Sequence, residues 1–242
     1  MTVDSMGFGM PLCEAMETQR AIRRLKPDPV DEKLILRLIE LALRAPTGGN
    51  TQRWEFIVVR DPKIKKGLAR LNRQAWGFYG RIARWVTRRN PKRRRMVDAV
   101  QWQADHFEEI PVIIVACLRG RYIPFLHVFS TTYFGSIFPS VQNLLLAARA
   151  VNLGACLTTI QLWNLISVRR ILGLPWNVTP CAVIPLGWPL GHYGPTTRKA
   201  VHQVVSFDRL GNRPAANLHA GMSAGCAGIE ESGKEAGTVP PG

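Results

Sequence analysis

Long apolar runs are missing from this sequence of 242 residues. The apolar run at 111–118 ends at Arg119, far short of the roughly 18–20 residues that a membrane-spanning helix needs. The N-terminus also lacks a basic segment followed by an apolar one, so no signal peptide is predicted. These absences argue against a chain that is inserted into a membrane or secreted.

Motifs for metals and for nucleotides are missing too. The five cysteines are odd in number and form no CxxC pair, and none of the five histidines belongs to an HExxH motif. No GxGxxG follows a predicted strand, and no GxxxxGK[ST] occurs. We therefore expect reduced thiols, a cytoplasmic location, no metal site and no Rossmann or P-loop nucleotide site.

Acidic residues are scarce in one segment. The whole chain has 32 Lys and Arg against 17 Asp and Glu, a net charge of +15. Residues 60–95 hold 14 of the basic residues and a single acid, Asp61, which makes that segment +13 on its own. The excess of positive charge is therefore a local feature and does not by itself predict a nucleic-acid-binding protein.

What is present is the composition of a globular domain, with 46% hydrophobic and 20% charged residues. Hydrophobic spacing predicts helices at 31–44, from Pro62, on either side of Asn90–Pro91 within 73–109, at 137–151 and at 163–172. Strands are predicted at 54–59, 111–118, 181–186 and 201–207, and a short strand or turn is predicted at 154–159. This alternation favours an α+β or α/β layered domain.

Two details of this pattern make sharper predictions. In the helix after residue 73, Ala75, Phe78, Ile82 and Val86 share one face and so predict a packed surface. Pro185 lies inside a predicted strand and indicates a strand end or a sheet edge there. Residues 1–11 and 214–242 are predicted to be a flexible N-terminus and a disordered tail around a single domain at 12–213.

Three short segments carry groups that suit a planar cofactor with a phosphate. They are Gln19–Arg24, with clustered cations; Ala45–Trp54, a loop of small polar side chains; and Gly194–Lys199, with two hydroxyls and two cations. Arginine guanidinium groups bind phosphate in a bidentate manner, while amides and backbone N–H groups recognise the edge of a heterocycle. Each segment is a weak signal alone, and their combination is the observation of interest.

In order and spacing these segments resemble the FMN-dependent nitroreductase family. The resemblance rests on 20–30 (RAIRRLKPDPV), 45–54 (APTGGNTQRW), 153–159 (LGACLTT) and 194–201 (GPTTRKAV), and it covers roughly residues 12–210. It implies an α+β fold of three α/β/α layers around a mixed, mostly antiparallel sheet. It also implies an intertwined homodimer with FMN at the interface, and it makes 60–109 a basic helical insert.

The resemblance also implies a set of cofactor-binding residues. Arg20, Ala21 and Arg23 would lie against the FMN phosphate and flavin edge, and Arg198 would hold the phosphate. Backbone groups of Leu157, Thr158 and Thr159 would line the ring. The loop residues would contact the flavin held mainly by the other subunit; they are Pro46, Thr47, Gly48, Asn50 and Gln52.

The sequence departs from the family pattern at several positions. Gln19 stands where an arginine is usual, and Ala21 replaces a common serine. The remaining departures are Arg53 for the proline of QPW, Leu157 for a frequent tryptophan, and Ala200 for the proline after Arg–Lys. Because Arg20, Arg23 and Arg198 all remain, the predicted phosphate site is retained.

The expected activity is that of an FMN-dependent NAD(P)H oxidoreductase. Hydride would pass through flavin N5 to a nitroaromatic, quinone or related small acceptor in a ping-pong cycle, with Arg23 stabilising charge on the flavin and no catalytic side chain required. A specialised dehydrogenase, dehalogenase or flavin-fragmenting relative is an alternative within this class.

The basic segment 60–95 leaves further readings open. It could be a solvated face, a site for the NADPH 2′-phosphate or for an anionic acceptor, or a peripheral contact with a membrane, because Trp76, Phe78, Tyr79 and Trp85 interleave with arginines. An alternative from a different class is a basic protein that binds nucleic acid or an anionic membrane and has a vestigial flavin site.

Overall fold

The computed structural model describes residues 7–120 and 127–214, so the predicted tail lies outside the described residues. The chain divides into a unit that extends to Gly194 and a C-terminal unit that begins at Pro195. The helices of the first unit are α1 (Leu12–Thr18), α2 (Glu32–Ala42), α3 (Pro62–Thr87), α4 (Pro91–Asp105), α5 (His127–Ala150) and α6 (Leu165–Leu172). Its strands are β1 (Trp54–Val59), β2 (Val112–Arg119), β3 (Gly154–Ala155) and β4 (Val178–Gly187).

The four strands form one sheet in the order β1-β2-β4-β3, and every neighbouring pair is antiparallel. The α+β class is confirmed, while the predicted parallel component does not occur among these strands. Trp54 lies opposite Leu118 at one end of the sheet, and Val112 lies opposite Leu186 at the other. The sheet therefore has two edges, one formed by β1 and the other by the short β3.

Both faces of the sheet are covered, which confirms the three-layer arrangement. Along β2, Ile114 and Ala116 pack into the cluster that contains residues of α2 and α5, and Ile113 and Val115 pack into the cluster on the opposite face. Because successive side chains of a strand point to opposite faces, a central strand covered on both sides is apolar at every position. The uninterrupted apolar run at 111–118 has this origin.

The helices begin where the sequence provides caps. Asp61 accepts a hydrogen bond from the Ile64 amide at 2.9 Å, with Pro62 in the first turn of α3. Asn90 does the same for Arg93 at 3.1 Å at the start of α4. Such side chains satisfy amides that have no partner inside the helix, so the predicted break at Asn90–Pro91 separates the two arms of a helical hairpin.

The apolar stripe of α3 differs from its prediction. Ala75 is buried, but Phe78, Ile82 and Val86 are 66%, 51% and 57% exposed. The prediction of a packed face was therefore wrong for the distal half of α3. The physical reason is that the residues buried there, Gly80 and Thr87, lie on another side of the helix.

Two strand predictions also need correction. Pro185 lies in the interior of β4, a central strand, opposite Ile113. Its carbonyl accepts a hydrogen bond from the Cys156 amide at 3.4 Å, just beyond the end of β3, so its missing N–H faces a side on which strand pairing has stopped. The predicted strand at 201–207 is instead a 3-10 turn at Val201–Gln203 followed by irregular chain.

The segment at 154–159, predicted as a short strand or turn, pairs with β4 only in part. Only Gly154–Ala155 forms β3, and pairing resumes as a single bridge between Thr158 and Val183. Within residues 7–120 and 127–214, no helix has both the length and the apolar character that would let it cross a bilayer.

Candidate cofactor site

The arginine segment, residues 20–23, runs along the β3 edge of the sheet. The Ile22 amide donates to the Ala155 carbonyl at 3.0 Å, and the Lys26 amide donates to the Trp188 carbonyl at 2.7 Å. These backbone bonds fix the segment beside β3 and beside the end of β4. Arg20 and Ala21 are exposed, whereas Arg23 is half-buried.

Gly154 is required for this close approach. A Cβ at Gly154 would lie 2.6 Å from Leu25 Cδ2 and 2.8 Å from Ile22 Cγ2, both shorter than any ordinary contact. The glycine of the LGACLTT motif therefore allows the arginine segment to lie directly on β3.

A buried polar group lies beneath this edge. Gln103 of α4 is buried and donates from Nε2 to Cys156 Sγ at 3.2 Å. Burial raises the pKa of the Cys156 thiol, while the Gln103 hydrogen bond and the positive charge of Arg23 act in the opposite direction. Cys156 is therefore a neutral thiol.

The β3 turn, residues 157–159, presents a free backbone edge. Thr158 exchanges both of its backbone hydrogen bonds with Val183, at 2.9 and 2.8 Å, so its neighbours face away from the sheet. The amides of Leu157 and Thr159 have no hydrogen-bond acceptor within the described parts of the chain. They are donors available to a ligand that lies along this edge.

An aromatic cleft of about 670 Å³ adjoins the β3 turn. Its walls include Trp76 and Tyr79 from α3 and Trp163 from the 3-10 helix Ile160–Asn164. Trp76 Nε1 donates to Gln101 Oε1 at 2.8 Å, and Trp163 Nε1 donates to the Leu71 carbonyl at 3.1 Å. A mostly apolar cleft with fixed rings and a row of backbone donors suits a flat heterocycle and a flat substrate.

The glycine loop, residues 46–52, lies elsewhere and has an unusual backbone. Gly49, Asn50 and Gln52 have φ angles of 59°, 52° and 48°, a left-handed conformation that is uncommon for residues other than glycine. Internal bonds hold this shape: the Gln52 amide donates to Thr47 Oγ1 at 3.2 Å, and Gln52 Nε2 donates to Asn50 Oδ1 at 2.9 Å. Strain of this kind that is held by its surroundings is characteristic of functional loops.

The glycine loop is anchored on α5. The Gly48 amide donates to Ser136 Oγ at 3.1 Å, and a Cβ at Gly48 would lie 2.5 Å from Thr132 Cγ2. Gly48 is therefore required for packing, independently of any ligand. Beside the loop is a smaller cavity of about 200 Å³, whose lining includes Arg53 and Tyr133.

The predicted site residues are not all brought together. The glycine loop leads into β1 at one edge of the sheet, while Arg23 and the β3 turn lie along the other edge. Three strand spacings of about 4.8 Å separate the edges, so Trp54 and Thr158 are at least about 14 Å apart with the sheet between them. A single chain therefore presents two separate parts of the predicted site.

Arg198 belongs to the C-terminal unit and is described within it alone. It is exposed, and its Nη1 donates to the carbonyl of the neighbouring Thr197 at 3.0 Å. Its predicted contact with a phosphate stays a prediction.

Sequence reasoning missed the aromatic walls and the buried Gln103. Trp76 and Tyr79 were noted only for their spacing with arginines, and no local signal connects them with residues 157–159 more than seventy positions later. His106 stacks on Trp102 with ring centroids 4.2 Å apart, which indicates a structural role. Among the described residues, no cluster of side chains could hold a metal ion.

The architecture is that of a three-layer α+β protein whose two candidate site segments lie at opposite edges of one sheet. The family model named "Nitroreductase family" matches residues 16–188, well over half of the chain. The chain therefore belongs to the nitroreductase family, as the resemblance of its motifs predicted.

Two curated relatives show how broad this similarity is. NADH dehydrogenase of Thermus thermophilus is 28% identical over 215 residues, covering 77% of this chain and 91% of that protein. Iodotyrosine deiodinase 1 of Rattus norvegicus is 27% identical over 180 residues. That match covers 73% of this chain but only 61% of the rat protein.

Solved structures have the same fold. A crystal structure of oxidized iodotyrosine deiodinase bound to FMN and 3-iodo-L-tyrosine superposes with a TM-score of 0.65 at 19% identity. The superposition covers 82% of this chain and all of that one. At this identity the similarity is one of fold.

Proposed function

We propose that this chain is an FMN-dependent oxidoreductase that transfers electrons from NAD(P)H to a small planar acceptor, such as a nitroaromatic or a quinone. The observation that carries the proposal is the aromatic cleft beside the free backbone edge of the β3 turn, with the arginine segment held along β3 by the bond from the Ile22 amide to the Ala155 carbonyl. Membership of the nitroreductase family supports an enzyme of this class.

The donor groups fit FMN. Arg20 supplies a guanidinium group for a phosphate dianion and Arg23 one for the flavin edge, and the free amides of Leu157 and Thr159 supply hydrogen-bond donors for the polar edge of a heterocycle. The aromatic cleft provides apolar walls for a ring system. Bound there, FMN would supply the hydride-transfer chemistry.

The chain's own residues have distinct tasks in this proposal. Arg23, half-buried and held by the backbone bonds of its segment, places a fixed positive charge where negative charge develops during reduction. Trp76 and Trp163, both fixed by hydrogen bonds, exclude water from one side of the cleft and orient a flat acceptor. Cys156 takes no part as a nucleophile, because burial keeps it a neutral thiol.

We further propose that the complete site is formed by two copies of the chain. The glycine loop and the arginine segment lie at opposite edges of the sheet, so the loop of one copy would complete the cofactor site of the other. A homodimer with two such sites satisfies this requirement with one symmetric interface.

The first experiment measures cofactor binding. The purified chain, incubated with FMN and desalted, is expected to retain an absorbance band near ~450 nm that NAD(P)H bleaches and a nitroaromatic or quinone restores. R20A/R23A is expected to weaken FMN binding about 10- to 1000-fold, because it removes charge-assisted hydrogen bonds. R24A, on the same segment, is the matched control. A chain that takes up no FMN, or equal losses in R24A, would contradict the proposal.

The second experiment tests the shared site. R23A and N50A chains, each impaired alone, are mixed at equal concentration and allowed to exchange subunits. If the site combines one copy's arginine segment with the other's glycine loop, about one quarter of the sites regain both native parts. No recovery of activity would place each site within one chain.

Reductive dehalogenation of an aromatic substrate is a second candidate. The supporting observation is the three-ring lining of the cleft, together with the similarity to iodotyrosine deiodinase 1. Release of iodide from 3-iodo-L-tyrosine by the FMN-loaded, reduced protein, at a rate above its reduction of nitroaromatics, would favour this activity over the first.

A further inference from the structure

The distal end of the α3–α4 hairpin carries apolar side chains that no other part of the described chain covers. We call residues 77–97 the hairpin tip. Phe78, Ile82, Trp85 and Val86 of α3 are 66%, 51%, 67% and 57% exposed. Exposed apolar residues are normal when scattered, but a contiguous set on one helix marks an interaction surface.

These residues form one stripe on the side of α3 opposite its packed face. At 100° per residue, Phe78, Ile82 and Trp85 fall within about 60° of one another. Gly80 and Thr87, the buried residues of this stretch, fall about 180° from that stripe. The stripe therefore belongs to neither the α3–α4 contact nor the sheet.

The stripe is bordered by a dense set of cations. The hairpin tip contains eight basic residues and no acidic one. They are Arg81, Arg84, Arg88, Arg89, Lys92, Arg93, Arg94 and Arg95. None of the eight pairs with a carboxylate within residues 7–120 and 127–214, and all eight are exposed.

We propose that the hairpin tip binds the surface of an anionic phospholipid bilayer. An exposed helix face with Trp and Phe, flanked by arginines, matches the pattern of helices that lie in the membrane interface. The apolar stripe would enter the boundary between headgroups and acyl chains, and the cations would remain at the level of the phosphates. The proposal does not depend on the flavin chemistry.

The charge and the apolar stripe of the tip together favour a bilayer over two other binding partners, a second copy of the chain and nucleic acid. Two tips facing each other in a symmetric contact would bring sixteen like charges together, which disfavours tip-to-tip pairing of two copies. Nucleic acid would satisfy the cations but would leave Ile82 and Val86 without an apolar partner. An anionic bilayer satisfies both parts of the surface at once.

The test is co-sedimentation of the full chain with large vesicles. The protein is expected to pellet with vesicles of phosphatidylcholine and phosphatidylglycerol, and not with phosphatidylcholine alone. Raising the salt should weaken binding, because exposed charges are screened over about 8 Å at physiological ionic strength. The same preparation is assayed for binding to a random-sequence DNA duplex.

Two variants separate the contributions of charge and apolar surface. R93Q/R94Q/R95Q is expected to lower vesicle affinity about fivefold for each cation removed, and W85A about tenfold. The matched control is W176A, because Trp176 is 81% exposed and lies outside the tip. W176A should bind vesicles like the parent chain.

The following results would overturn the proposal. Equal binding to neutral vesicles, or equal losses in W85A and W176A, would show that the tip is not the membrane contact. If light scattering shows that W85A loses a dimer the parent forms, the stripe is a contact between copies. If the duplex binds more tightly than vesicles and W85A leaves that binding unchanged, the tip is a nucleic-acid site.

Discussion

Strand β2 and the hairpin tip contain comparable apolar side chains in opposite surroundings. From Val112 to Leu118, every residue of β2 is at most 2% exposed, whereas four apolar residues of the tip are more than half exposed: Phe78, Ile82, Trp85 and Val86. Helix layers cover β2 on both faces, but α3 beyond Trp76 packs on one side only. The comparison shows that periodicity identifies an apolar face without identifying what that face will contact.

The largest expected effect comes from removing the same side chain in each region. I114A in β2 should lower the free energy of unfolding by about 2–5 kcal/mol, because it leaves a cavity between the sheet and the α2–α5 layer. I82A in the tip should change it by less than about 0.5 kcal/mol. Urea unfolding of both variants measures the difference, and similar losses would mean that the tip is packed in solution.

Replacing a glycine by alanine in each region provides a second comparison of a packed and an exposed site. G154A should cost about 1–3 kcal/mol and weaken FMN binding, because the new Cβ displaces Ile22 and Leu25 from the β3 edge. G77A in α3 should stabilise the protein by about 0.5–1 kcal/mol, since no atom lies within 4 Å of the added Cβ. A stabilising G154A would disprove the close approach described for that edge.

Alkaline pH should affect the sheet selectively. Burial raises the pKa of Cys117 from 9.0 to about 12, so the unfolded state loses its proton first as the pH rises. The thiol's contribution is complete below pH 9 and is lost between pH 9 and 12, about 1 kcal/mol by pH 10. Urea midpoints at pH 8 and 10 should fall less for C117A than for the parent. C13A, which removes an exposed thiol, should behave like the parent.

The smallest effect concerns the base of the hairpin. Gln101 Oε1 accepts from Trp76 Nε1 at 2.8 Å and from Arg84 Nη1 at 2.7 Å. Q101L should cost about 1 kcal/mol, because the half-buried bond of the Trp76 indole loses its acceptor. Q74L, at an exposed position of α3, serves as the control and should be within about 0.5 kcal/mol of the parent. If Q101L and Q74L lower the free energy of unfolding equally, the lost hydrogen bond is not the cause.

Local sequence signals predicted much of the fold. Asp61–Pro62 and Asn90–Pro91 marked the starts of two helices because caps and prolines act within one turn. The apolar run at 111–118 predicted a central strand because burial on both faces leaves no polar alternation. Pro185 led to a wrong prediction of a strand end or sheet edge. A central strand tolerates proline at a point where the neighbouring strand has ended, and the local sequence does not show where that is.

The candidate site was predictable only in part. The motifs around Arg20 and Asn50 were recognisable as sequences, and the family they indicated is confirmed. Their placement at opposite edges of the sheet follows from strand order, which no local pattern encodes. The approach of Trp76 to the β3 turn depends on how α3 packs against a distant 3-10 helix, so nothing near either residue could have signalled it.

The position of the glycine loop on the far edge of the sheet has a thermodynamic consequence. If each cofactor site is completed only by another copy, FMN binding and dimerisation are linked by one coupling free energy. Each must then strengthen the other by the same factor. The fraction of loaded sites would then depend on protein concentration even at a fixed FMN concentration, and dilution would release cofactor. A cell could then regulate this protein through flavin supply and through the number of copies of the chain.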